Sequence, residues 1–93
     1  MQTLTNTFKF YSDPGHGWLR VTLADIAKVG LTTEDFTDYS YRSEGGGVLY
    51  LEEDCDAPVF VNAWEGTFGR RPSFTEVYRD RTNIRSLPGI HEV

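Results

Sequence analysis

Residues 7–21, TFKFY-SDPGHG-WLRV, hold two alternating runs joined by turn chemistry, and this feature limits the possible folds more than any other. In TFKFY, Phe8 and Phe10 point to one side and Thr7, Lys9 and Tyr11 to the other, the period of a half-buried strand. Asp, Pro and two glycines in SDPGHG favour a turn, and WLRV resumes the alternation. A β-hairpin is therefore expected at the start of the domain.

That hairpin must be stabilised without covalent help. The chain has one cysteine, so an internal disulfide is excluded and a reducing compartment, most simply the cytoplasm, is expected. A chain of 93 residues buries about two-thirds of its unfolded surface, and six Phe, five Tyr and two Trp are available to fill the core. The start MQTLTNTFKF lacks the basic and apolar regions of a signal peptide. No apolar run approaches the about 20 residues that a membrane span requires.

Further along, Thr22 and Asp25 stand three apart at the start of a short helix striped with Leu23, Ile26 and Ala27, and Gly30 is placed to end it. TTED (32–35) offers a second cap and one helical turn. FTDYSYR (36–42), with Tyr39 and Tyr41 on one face, and VLYLE (48–52) flank the glycine-rich SEGGG and predict a second hairpin. Asp56 is placed to cap a helix from Val59 to about Glu65, with Pro58 in its first turn, Phe60, Ala63 and Trp64 on its apolar side and Gly66 at its end. SFTEVYRD (73–80) mixes a Ser73–Glu76 capping box with the strand formers Thr75, Val77 and Tyr78; the box predicts a short helix. Residues 81–93 read as an irregular tail. The expected fold is one α+β domain over residues 1–93, a mostly antiparallel sheet of two hairpins with two or three short helices covering one face.

Charge is uneven. Residues 1–66 carry eleven acidic side chains against four basic ones, and residues 67–93 carry five arginines against three acids, which accounts for the net charge of −5. An acidic surface repels nucleic acid and membranes and favours basic partners. The arginine segment, with Phe68, Phe74 and Tyr78 interleaved, is where an anion or RNA could be gripped, but pairing with the acidic two-thirds accounts for it more simply.

Two stretches bear on chemistry. In SDPGHGW, His16 between two glycines could serve as a base or ligand oriented by Asp13, although Asp-Pro-Gly is also an ordinary turn. In YLEEDCDAP (50–58), four carboxylates surround Cys55. The calcium-loop pattern is absent, and a structural zinc needs four nitrogen or sulfur ligands where the chain offers one Cys and two His, so no metal or cofactor is expected. Adjacent Glu52 and Glu53 point to opposite faces of a strand, which rules them out as a catalytic pair. Helix capping explains at least one of Asp54 and Asp56, and Cys55 reads as a small, partly buried hydrophobe. Carboxylates two apart along a strand repeat every ~6.6 Å, near the spacing of nucleic-acid phosphates. Glu52, Glu53 and Asp54, with Asp38 and Glu44 as rim charges, thus form a candidate acidic contact face, with Asp35 close by.

YSDPGHGWLRV, YSYR and VLYLEEDCDAP, about residues 10–60 and on into RTNIRS, resemble a group of small proteins carried by phages, prophages and plasmids. The resemblance implies no catalytic residues. It implies an accessory protein of a mobile element, among which small acidic inhibitors of host nucleic-acid machinery, such as anti-CRISPR proteins, are frequent. The expectation is a non-enzymatic cytoplasmic protein that contacts a basic nucleic-acid-binding host protein, without touching nucleic acid or membrane itself. Two rivals are a small enzyme or ligand binder using His16, Asp13 and Cys55, and an accessory subunit that homodimerises through an exposed aromatic face.

Overall fold

The first hairpin forms where the alternation places it. In the computed structural model, which describes residues 7–92, β1 (Thr7–Ser12) and β2 (Gly17–Thr22) pair antiparallel, Phe10 opposite Leu19. The turn closes with the Asp13 amide donating to the His16 carbonyl at 2.9 Å. The reading of residues 1–6 as free of a targeting signal lies outside the described residues.

The capping box after β2 forms. Thr22 Oγ1 accepts from the Asp25 amide and Asp25 Oδ2 from the Thr22 amide, at 3.1 and 2.8 Å. This starts the helix α1 (Leu23–Lys28), which ends before Gly30 at φ 77°, a left-handed conformation that glycine adopts at no steric cost. A 3-10 turn over Thr33–Asp35 follows, Asp35 capping the Thr32 amide. The strand expected over 36–42 shrinks to β3 (Tyr41–Arg42), because residues 37–40 bend to bond the buried Asp56. β4 (Val48–Glu52) pairs with β3 and β2, and Leu49 and Leu51 are fully buried beneath the helix α2 (Ala57–Phe68).

α2 runs past Gly66, the residue expected to end it, because a helical glycine weakens a helix without breaking it. Gly69, at φ 76°, does end it, with its amide on the Glu65 carbonyl at 2.8 Å. Along one side of α2, Phe60, Val61 and Trp64 close over Phe8, Leu19, Val21, Leu49 and Leu51. Phe8 meets Phe60 and Trp64 edge-on, with centroids 5.2 and 5.0 Å apart, the arrangement that ring quadrupoles favour.

The expected helix over 73–80 is a strand, β5 (Ser73–Tyr78), running parallel to β1 in register Phe8–Phe74 through Ser12–Tyr78. The sheet order is β3-β4-β2-β1-β5, so the sheet is mixed rather than built from two antiparallel hairpins alone. The direction follows from topology. Two antiparallel pairings make β4 parallel to β1, and a helix-long connection returns the chain the same way round. Six residues of ladder with β-branched and aromatic side chains outweigh one local capping box.

The tail is irregular in conformation but firmly attached across the sheet face opposite α2. Ile84 is buried there; farther on the Arg42 amide bonds the Pro88 carbonyl at 2.9 Å, Gly89 bridges Tyr41, and Ile90 passes β3 to join the core cluster of Phe60 and Trp64. The α+β class stands, with α2 on one sheet face and the tail on the other. Among the described residues no helix is long and apolar enough to cross a membrane.

Candidate functional site

Trp18, although on the sheet face away from α2, is only 2% exposed. Tyr41 and His16 pack beside its ring, and the Arg85 guanidinium lies 5.5 Å over it, close enough for a cation–π contact. These groups form one wall of an open cleft of about 440 Å³. Tyr39 stands at its edge, and Glu52, Asp54 and Cys55 complete it from the end of β4. The lining thus comes from SDPGHGW, YSYR, EEDC and NIRS, stretches up to some seventy positions apart that the sheet and tail bring together.

The positions are fixed by polar contacts. Asp13 Oδ1 accepts from the Gly15 and His16 amides and from Arg85 Nη2, at 2.9, 3.0 and 2.8 Å, while Thr82 Oγ1 reaches Oδ2 at 3.3 Å. Burial works against ionising Asp13, yet these amides, the Arg85 charge and the Thr82 hydroxyl outweigh it and hold the carboxyl below its ordinary value. Asp13 therefore anchors the loop and the tail. It does not orient the His16 imidazole, as the sequence had suggested.

Asp56 occupies the position before α2, but its side chain caps no helix amide. Its carboxylate is 1% exposed and accepts from the Thr37 amide, the Thr37 hydroxyl and the Ser40 hydroxyl, while Ser40 Oγ accepts from the Glu52 amide at 2.8 Å. The cap expected of Asp54 or Asp56 is absent among the described residues. Glu52 instead braces the turn, with Oε1 accepting from the Asp54 and Cys55 amides at 3.0 and 2.8 Å.

Glu52 borders the cleft and Glu53 a separate hollow beside Ala57, Val61 and Arg71, yet at the end of the sheet their tips come near each other. One ligand atom each from His16, Glu52 and Glu53 lies within 4.8 Å of the other two. Period two holds inside a ladder, and β4 ends at Glu52. The Glu53 amide still bonds the Gly17 carbonyl at 3.1 Å, and Gly17 has no side chain to block the approach. A Cβ at Gly17 would stand 3.1 Å from Glu53 Oε2 and 2.5 Å from Phe10 Cζ. This is a metal-competent donor set where none was expected.

The remaining sequence candidates divide. Cys55 is exposed rather than part of the packing, and its hydrogen bond to Glu52, desolvation and the charges of Glu52, Asp56 and Asp54 raise its pKa, which disfavours a thiolate nucleophile. Asp38 is exposed, but Oδ1 accepts the His91 amide at 3.0 Å, so it is a tail anchor. Glu44 sits in the turn before Val48, at the other end of β4 from Glu52, roughly 13 Å away at ~3.3 Å per residue, and does not border the cleft. The sequence reading assigned no functional role to Trp18, Tyr39 or Tyr41, and read Arg85 only as one of the segment's arginines, whose pairing with an acid the Asp13 bond illustrates. The signal available for them was the clustering of aromatics beside His16 and Arg42. Comparison with family models, curated proteins and solved structures returns no match to this chain.

Proposed function

We propose that the chain is a small acidic binding protein of a mobile element that contacts a basic, nucleic-acid-binding host protein, in the manner of anti-CRISPR inhibitors, and that its cleft receives a basic side chain of that partner. The observation that carries this reading is that carboxylates and aromatic rings line one cleft: Glu52 and Asp54 with Tyr39 and Tyr41. A guanidinium or ammonium group is attracted by ring faces and bonded by carboxylates, and both kinds of wall meet here. Tyr39 is 70% exposed, a large, nearly rigid contact surface of the kind that anchors interfaces. Arg85 also lines the cleft, but its charge is paired with Asp13. The net charge of −5 supports long-range attraction of a basic partner and repulsion of nucleic acid.

Affinity capture from host lysate tests this. Asp54→Lys and Tyr39→Ala should each weaken capture, and rising salt should weaken it further. Glu52 is a poor test residue because it braces its own turn. Capture that survives both substitutions would sink the reading.

The second reading, a small-ligand binder or enzyme, is favoured by His16 and Glu52 lining one cleft. In that case His16→Ala abolishes binding of a small molecule that Asp54→Lys leaves intact. A third, self-association, draws on the exposure of Phe74 and Tyr78 on β5 and is read by light scattering.

A further inference from the structure

We propose that His16, Glu52 and Glu53 form a binding site for a divalent first-row transition-metal ion of the Mn²⁺-to-Zn²⁺ series. This goes beyond the partner reading and does not rest on it.

The donor set is one imidazole nitrogen and two carboxylates, from two separate loops at the same end of the sheet. Imidazole selects transition ions over Mg²⁺ and Ca²⁺, which take oxygen ligands, and Ca²⁺ wants six to eight of them. Metal–nitrogen and metal–oxygen bonds near 2.1 Å place neighbouring ligand atoms about 3–3.4 Å apart. Atoms already within 4.8 Å of one another close that gap mainly by rotation of His16 and Glu53 toward the half-buried Glu52. Three ligands leave open positions for water, so the scarcity of Cys and His that excludes a closed structural zinc does not exclude this site.

Two further observations favour a cation here. Among the described residues neither glutamate is ion-paired with Lys or Arg; the ion pairs use Asp25, Asp13 and Glu34 instead. Arg85 borders the Glu52 cleft and Arg71 the hollow beside Glu53, but neither guanidinium pairs with these carboxylates. The support is also largely in place before any ion arrives. Glu52 is tied to two amides through Oε1, which leaves Oε2 free of those bonds, and the His16 loop is tied by Asp13 and the Asp13–His16 backbone bond. Gly17 leaves the room that the Glu53 carboxylate occupies.

Titration of MnCl₂ into isotope-labelled protein, followed by amide NMR, tests the proposal. Paramagnetic broadening should begin at His16, Gly17, Glu52 and Glu53 at substoichiometric ion and be reversed by ZnCl₂ but not by excess MgCl₂. His16→Ala and the isosteric Glu53→Gln should each weaken binding about tenfold or more, with the remaining spectrum showing a folded chain. Broadening spread evenly over exposed acids such as Glu44, Glu65 and Asp80, or binding unchanged by both substitutions, would overturn it. The broadening pattern of the unsubstituted protein decides the matter even if a variant fails to fold. No partner is present in this experiment, so its failure leaves the partner reading intact, and the reverse also holds.

Discussion

The two faces of the sheet are closed by different physics. Toward α2, Leu19, Leu49, Leu51, Phe60 and Trp64 are at most 1% exposed, and cohesion comes from apolar area and ring packing. Toward the tail, Trp18 is equally hidden, but what packs on it is Arg85, His16 and Tyr41, the first two tied by Asp13. The dry face packs closely, since voids cost dispersion energy, and its hollow of about 260 Å³ between Phe10, Val61 and Phe74 is lined almost wholly by apolar groups. A face closed by polar ties at fixed points leaves gaps between them, and the cleft is such a gap. Apolar packing is concentrated on one side of the sheet, and the cleft with its charged and aromatic lining lies on the other.

The largest expected effect lies on the dry face. Trp64→Ala should cost about 3–5 kcal/mol, a large share of the roughly 5–15 kcal/mol available to a domain, and should leave the chain mostly unfolded in mild denaturant. Trp64→Phe should cost less, because the indole Nε1 is buried with no hydrogen-bond partner among the described residues. Urea titration followed by circular dichroism measures both. If Trp64→Ala moved the midpoint no more than a surface substitution does, the contrast between the faces would be lost.

Asp56→Ala comes next and strikes the polar side. It leaves the Thr37 amide and the Ser40 hydroxyl without their acceptor in a buried setting, at a cost of about 2–3 kcal/mol. Hydrogen exchange should quicken first at Thr37 and Glu52, the latter through Ser40, with amides in β1 and β2 little changed. Uniform loss of protection across both faces would instead make Asp56 part of the main core.

Gly17→Ala is smaller and sits at the junction of the two faces. The added methyl meets the Phe10 ring at 2.5 Å and the Glu53 carboxylate at 3.1 Å, so about 1–3 kcal/mol of strain is expected, together with displacement of Glu53. A stability loss with unchanged Glu53 chemical shifts would mean that the ring alone yields.

What could be read from the sequence follows the same division. Local devices were legible: the 7–21 hairpin by its alternation, α1 by the Thr22–Asp25 box and Gly30, and α2 by the Phe60–Trp64 spacing. Features decided by distant partners were not. Asp56 sits at a capping position, but its acceptors' donors lie 16 and 19 residues back, and no local rule reports them. β5 was misread because its determinant is the β1 edge, far away in sequence. That Glu52 and Glu53, which border different hollows, still bring one oxygen each near His16 depends on the β1–β2 loop, which no strand period reports.

The smallest expected effect concerns the tail's far end, where pH can loosen the tie between His91 and Phe36. The His91 ring nitrogen Nε2 lies 2.7 Å from the Phe36 carbonyl, and that hydrogen bond, followed by the charges of Asp38, Glu34 and Asp56, raises its pKa above 6.5 against the opposing effect of burial. Folding therefore favours the protonated ring. Its contribution to stability is fully present below the unfolded value near 6.5 and is lost as pH rises through the raised folded value. His91→Gln should accordingly narrow the difference in thermal midpoint between about pH 6 and about pH 8, and it should do so mainly by destabilising the protein at the lower pH. Hydrogen exchange in the middle of α2 should follow global stability over this range while amides at Phe36 and Asp38, beside the His91 ring and backbone, open more readily at higher pH. A histidine substitution that lowered stability equally at both pH values would assign the tie to packing of the ring rather than to its charge.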